Sequence, residues 1–130
     1  MKELNQSEVC NILNEIVEAE MAGVVRYAHS SLMVTGPYRI PIVQFLQEQA
    51  NESLQHALLA GDLITGLDGH PSQVIAPIEE SHDHSIKQIL LESLEHETHA
   101  VNIYKKLFAE VEDSSIYLEE YARGQIGEEE

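Results

Sequence analysis

The sequence predicts an all-α fold, an antiparallel up-down four-helix bundle. Three observations predict it: apolar residues recur at intervals of three and four along most of the chain, no strand-like alternation bounded by turns occurs anywhere, and short linkers join the first segment to the second and the third to the fourth. A longer connection between the second and third segments joins the two helical hairpins and crosses the length of the molecule. A chain of 130 residues suffices for one compact domain that buries roughly two thirds of its unfolded surface.

The first helix begins at Ser7, a plausible N-cap followed by the acidic Glu8, and carries Leu13, Ile16, Val24 and Tyr27 on one stripe. The segment TGPYRIP stops it with Gly36 and Pro37. Pro41 suits the start of the second helix, whose inward seam reads Ile42, Phe45, Gln49, Glu52, His56, Leu59 and Leu63. Gly69 and Pro71 end it. The connection QVIAPIEESHDHS follows. The third helix starts between Ser81 and Ser85, with Ile86, Leu90, Ser93, Glu97, Ala100, Tyr104, Leu107 and Val111 inward and Lys105 and Lys106 suiting its C-terminal dipole. After EDSS the fourth helix turns Leu118, Tyr121, Ala122 and Gln125 inward, and stops in the middle of a continuing pattern. A short fourth helix, cut at its C-terminal end, is the expectation.

Charge narrows the function classes. With 23 acidic and 7 basic residues the formal net charge is −16, a field that repels phosphate backbones and gathers cations. Nucleic acid is therefore not an expected partner. No apolar run approaches the ~20 residues of a membrane span, so no membrane is expected either. The single Cys10 makes no internal disulfide, and the amino terminus has no apolar core of signal-peptide length, which points to the cytoplasm.

Three helices place ionisable groups inside apolar stripes. Glu20 lies four residues from both Ile16 and Val24, Glu52 and His56 stand about 40° apart on one face of the second helix, and Glu97 falls between Ser93 and Ala100. A buried carboxylate costs several kcal/mol unless it is paired or bound to a cation. Any one of these residues alone fits a blander role, a glutamate at the rim of its stripe or a satisfied histidine. Their joint occurrence at mid-helix favours a shared cation. Carboxylates and imidazole without thiolate suit iron or manganese, whereas structural zinc more commonly uses cysteine. Tyr27, two turns after Glu20, reaches the same cavity as a donor of a hydrogen bond or an electron. His82, His84, His96 and His99 sit in polar surroundings and are expected on the solvated surface.

On the segments EAEMAGVVRY, ANESLQHALLAGDLITGLDGHPS, LESLEHETHAVNIY and YARGQIGEEE the sequence resembles the ferritin-like superfamily, and within it the bacterioferritin-like branch. The resemblance spans nearly the whole chain and implies one ferritin-like domain over 1–130. It also implies a di-iron site built from a first-helix glutamate, an E-x-x-H pair on the second helix, a third-helix glutamate and a second E-x-x-H pair on the fourth. Carried over, Glu20 matches the first glutamate, Tyr27 a tyrosine beside the metals, His56 the first histidine, Glu97 the third-helix glutamate and Glu129 the fourth-helix glutamate. Two positions depart from the pattern. Ser53 stands where the bridging glutamate belongs, with Glu52 one residue earlier as a substitute, and counting from Glu129 the second histidine falls two positions past Glu130. The haem-holding methionine of bacterioferritins is matched by Leu54, so no haem is expected.

The resemblance implies a di-iron carboxylate protein that binds Fe²⁺ and oxidises it with O₂ or peroxide for iron storage or detoxification, with manganese or zinc as substitutes for iron. Glu20 and His56 would hold one ion, Glu97 the other, and Glu129 and Glu52 would bridge. A ferroxidase-type activity requires the site to be complete. The alternative is a non-catalytic helical scaffold or a degraded single-metal site. A homo-oligomer, a dimer or a larger shell, is expected because such bundles hide one outer face against another copy.

Overall fold

The computed structural model describes residues 3–79 and 81–129, the side chain of residue 129 excepted. Four helices form in chain order: α1 (Gln6–Met33), α2 (Arg39–Gly66), α3 (Ile86–Val111) and α4 (Ile116–Glu129). They make the expected four-helix bundle. The capping residues set the boundaries. Asn5 rather than Ser7 caps α1, its side-chain oxygen accepting from the Glu8 amide at 3.1 Å, so α1 starts one residue before Ser7. Ser85 caps α3 in the same manner through the Gln88 amide. Pro41 is the third residue of α2, inside the first turn, where its missing N–H breaks no intrahelical bond.

Side-chain pairs give the helix directions. Glu20 meets His56 of α2 and Gly23 lies against Ser53, so α1 and α2 run antiparallel, while Lys106 reaches Glu15 at 3.0 Å and Tyr104 reaches Glu20, so α1 and α3 do too. It follows that α2 and α3 are parallel. The connection between them must therefore travel the length of the bundle, and it does so along α1: Asn14 binds the backbone at His70 and Ser72, the Ala76 amide donates to the Glu18 carbonyl at 3.1 Å, and the His84 ring lies 5.9 Å from that of His29. Gly69 is required at the start of this path. A Cβ there would stand 2.8 Å from both Cys10 Sγ and Ile64 Cγ2.

The inward seam differs from the sequence expectation by one position along α2 and near the start of α3, whereas Ser93, Ala100, Tyr104, Leu107 and Val111 of α3 are buried as expected. In α2 the buried residues are Leu46, Ala50, Ser53, His56, Ala57, Ala60 and Ile64, while Phe45 and Leu59 are exposed; in α3 Ile89 is buried and Leu90 is not. Each helix has apolar residues on adjacent positions, so periodicity alone admits either rotation. Small residues decided it in α2: Ala50, Ser53, Ala57 and Ala60 let the backbone lie close against α1.

Two apolar layers enclose a polar one. The larger layer joins Val9, Ile12, Leu13, Ile16, Ile64, Leu107, Val111 and Leu118 with their neighbours; the smaller joins Tyr27, Val34, Leu46, Ala50 and Ile89. Fully burying one such aliphatic side chain contributes about 1.5–3 kcal/mol. Between the layers lie the buried polar residues Glu20, Ser53, His56, Ser93, His96 and Gln125. No described helix is long and apolar enough to cross a membrane.

Candidate metal centre

Glu20 is only 2% exposed, so its neighbours must satisfy it. They do so with two donors on one oxygen: His56 Nδ1 lies 2.7 Å from Glu20 Oε2, and the Tyr104 hydroxyl donates to the same oxygen at 2.9 Å. A carboxylate oxygen has the lone pairs to accept both bonds at once. The other face of the His56 ring looks outward. Its Nε2 is 3.3 Å from Glu128 Oε1 and 3.8 Å from Glu52 Oε1. Single donor atoms of Glu52, His56 and Glu128 all lie within 4.8 Å of one another.

Glu97 approaches from α3. It is half-buried, accepts a hydrogen bond from the buried Tyr27, and acts electrostatically on Glu52. The carboxyl of Glu52 titrates above its ordinary range because burial disfavours its charged form and because Glu128 shares a hydrogen bond with it; His56 opposes this and Glu97 adds to it. Three carboxylates, Glu20, Glu52 and Glu128, thus lie about one imidazole, and Glu97 of α3 acts on Glu52. Such a donor set, all oxygen but for one nitrogen, suits a hard or borderline cation such as Fe²⁺, Fe³⁺ or Mn²⁺.

The centre has an internal twofold pattern. α1 carries Glu20 and Tyr27 seven residues apart, and α3 carries Glu97 and Tyr104 at the same separation; because the helices are antiparallel, each tyrosine donates to the other helix's glutamate. The partner helices repeat the pattern in altered residues. α2 presents buried Ser53 and, three residues on, His56, and α4 presents buried Gln125 and, three residues on, Glu128. α2 and α4 bring no Cα atoms within 8 Å of each other among the described residues, so their side chains alone close that flank of the bundle. Glu52 and Glu128 stand there at 43% and 49% exposure, as an acidic mouth over His56.

Of the residues singled out from the sequence, Glu20, Tyr27, Glu52, His56 and Glu97 come together in this region. The Glu129 side chain lies outside the described residues; among the described ones, the α4 carboxylate beside His56 is Glu128. Sequence reading left Tyr104 among core residues and did not single out Glu128. The repeated seven-residue Glu-to-Tyr spacing is the signal that would have found Tyr104.

His96 corrects an expectation: it is buried, not on the solvated surface. Gly23 makes room for it. A Cβ at that position would stand 2.6 Å from His96 Nε2 and 2.8 Å from Ser53 Oγ. The ring meets Tyr27 edge-on at 5.7 Å between centroids, which holds the phenol toward Glu97. Burial pushes the His96 pKa down, so the ring is neutral at lower pH than an exposed histidine. His99 is exposed, as expected.

Comparisons with known proteins point the same way. A family model, the ferritin-like domain, matches residues 10–130. Among solved structures, a ferritin-like diiron-carboxylate protein from Bacillus anthracis str. Ames superposes with a TM-score of 0.89 at 22% identity, over 95% of this chain and 88% of that one. A dodecameric thioferritin, the bacterioferritin-related protein of Bacteroides fragilis, gives a TM-score of 0.89 at 20% identity over 98% and 80%. Rhodobacter capsulatus bacterioferritin gives a TM-score of 0.79 at 21% identity over 95% and 77%. At these identities the structural likeness speaks to the fold. No protein of curated function matches the chain by sequence.

Proposed function

The chain belongs to the ferritin-like domain family, and from that premise we propose that it takes Fe²⁺ as substrate between its helices and oxidises it with dioxygen or peroxide, for iron storage or detoxification. The observation that carries the reading is the convergence of the buried Glu20–His56 pair with Glu52, Glu97 and Glu128. An ionised carboxylate at 2% exposure is costly in the absence of countercharge. A cation removes that cost and also quiets the repulsion between Glu52 and Glu128.

Residues divide the work by position. Glu52 and Glu128, half exposed at the mouth, attract Fe²⁺ from solvent; Glu20 and His56 bind it deeper; Glu97 holds a second ion, and Glu129 is a further α4 carboxylate for bridging. Anionic oxygen donors favour the higher charge, so binding itself promotes loss of an electron. Two Fe²⁺ ions release two electrons, and with two protons these convert O₂ to hydrogen peroxide, or peroxide to two waters. Tyr27 and Tyr104, each bonded to one of these carboxylates, hold those carboxylates in place. Manganese or zinc would fit the same donors.

Purified protein mixed with Fe²⁺ in air should develop ferric absorbance faster than buffer alone, and Glu20→Ala should abolish the difference. Equal rates for protein and buffer would refute the activity. A second reading, a scaffold or a single-metal site, is favoured by the neutral residues Ser53 and Gln125 at the two buried inner positions. Bound metal per chain separates the readings: about two ions supports the oxidase, one a single-metal site, none the scaffold.

The same proposal includes a homo-oligomer in the cytoplasm. Exposed apolar side chains on α2, including Ile40, Phe45, Leu58 and Leu59, support an outer face that another copy covers. Sedimentation of the full chain at two concentrations tests it.

A further inference from the structure

Gln125 is 8% exposed, and its Oε1 is buried with no hydrogen-bond partner. An orphaned buried acceptor destabilises the fold, and Gln125 sits where that oxygen has a use. Residues 121, 125 and 128 follow one another at four and three positions, one face of α4. At one end of that face the Tyr121 ring packs on Tyr104, whose hydroxyl binds Glu20; at the other, Glu128 reaches His56 Nε2. Glu20 and His56 are themselves bonded, so the face of α4 between Tyr121 and Glu128 looks onto that pair, and Gln125 occupies its middle.

No donor among the described residues serves the oxygen there. The Tyr121 hydroxyl is likewise buried and is directed to Tyr104, and burial pushes its titration up, so it stays a neutral phenol. What the region offers in quantity is acceptors: Glu20, Glu52, Glu97 and Glu128. Acceptors facing acceptors are tolerated when a cation lies among them. A carboxamide oxygen is a hard neutral ligand of the kind that completes oxygen-rich coordination.

We propose that Gln125 is a ligand of this centre, its Oε1 supplying a neutral oxygen to the cation bound by Glu20 and His56. The assignment rests on the iron-binding reading above. It also gives the twofold pattern a chemical consequence. Ser53 and Gln125 are the matched inner positions, both neutral, so the centre carries two negative charges fewer than it would with carboxylates there. A cation held there would meet a less anionic donor set than carboxylates at both positions would supply.

Fe²⁺ binding by the full chain, measured anaerobically by calorimetry, and the thermal midpoint with and without Fe²⁺ test this together. Gln125→Met keeps the length of the side chain and removes the oxygen. The expected result is a metal-free midpoint equal to or above wild type, because an unsatisfied oxygen is gone, with Fe²⁺ affinity at least tenfold weaker and a smaller Fe²⁺-induced rise in midpoint. Gln125→Glu should do the reverse, lowering the metal-free midpoint and tightening Fe²⁺ at least tenfold. Wild-type affinity in Gln125→Met overturns the assignment. So does a lowered metal-free midpoint with unchanged affinity, which would mean that the oxygen serves a buried water. If the wild-type chain itself binds no Fe²⁺, the iron-binding reading fails first.

Discussion

Replacing Tyr104 by phenylalanine deletes one hydroxyl and leaves the ring packed. The hydroxyl donates at 2.9 Å to Glu20 Oε2, and Glu20 is 2% exposed, so water cannot take its place. A hydrogen bond to a charged group contributes about 1.5–3 kcal/mol, and among the described residues the buried carboxylate keeps only His56 as donor, so the loss should fall in that range. Tyr27→Phe is the internal control. It removes the matching bond to Glu97, but that carboxylate is half-buried and water can replace the phenol, so the loss should be about 0.5–1.5 kcal/mol. The assay is guanidinium unfolding of chelator-treated protein at pH 7. Midpoints should be compared at a common slope, because extrapolated free energies carry roughly 10–15% error. For a chain of this size each kcal/mol moves the thermal midpoint by roughly 4 °C, which gives a second readout. A Tyr27→Phe loss equal to or above that of Tyr104→Phe would refute the claim that burial of the acceptor sets the strength of these bonds. A Tyr104→Phe loss under about 0.5 kcal/mol would refute the Glu20 pairing itself.

Gly23→Ala should destabilise by up to about 2 kcal/mol, overpacking against His96 and Ser53 at about 1–3 kcal/mol being partly offset by roughly 1 kcal/mol of helix propensity; a gain in chemical stability would show that both side chains yield freely. Ser53→Glu puts a carboxylate in the buried gap and should cost the metal-free protein about 3 kcal/mol or more, with most of the loss recovered in Fe²⁺; a variant insensitive to Fe²⁺ would count against a cation beside position 53. Glu52 titrates above its ordinary 4.5 when folded, so ionising it weakens the fold, and its contribution declines as pH rises through the interval from 4.5 to the raised value. Glu52→Gln should therefore raise the metal-free unfolding midpoint at pH 7 and leave it unchanged at pH 4. A midpoint lowered at pH 7 would reverse the sign of that argument.

The architecture was legible because it depends on local pattern. Helices announce themselves by spacing, and the stop signals around Gly36 and Gly69 separate them without knowledge of the partner helices. Glu20, His56 and Glu97 were legible for the same reason: ionisable groups in the middle of apolar stripes are conspicuous when a buried charge costs so much. The rotation of each helix was not. Phe45 and Leu46, or Ile89 and Leu90, are equally apolar neighbours, and only packing across the bundle chose Leu46 and Ile89 as the buried ones. His96 was misread because a histidine among glutamates looks solvated until Gly23, far away in sequence, removes the side chain that would have kept it out.

The sequence by itself determined that four amphipathic rods would form and that several would carry charge on their inner faces, since both follow from the periodicity and chemistry of single segments. Only the tertiary structure decided which atoms meet. That Tyr27 serves Glu97 while Tyr104 serves Glu20, that Glu128 faces His56, and that Gln125 is left without a donor all depend on the axial register of one helix against another. Register is fixed by side-chain packing across the bundle, and a slip of one turn, about 5.4 Å, would pair different residues with no change in any local pattern.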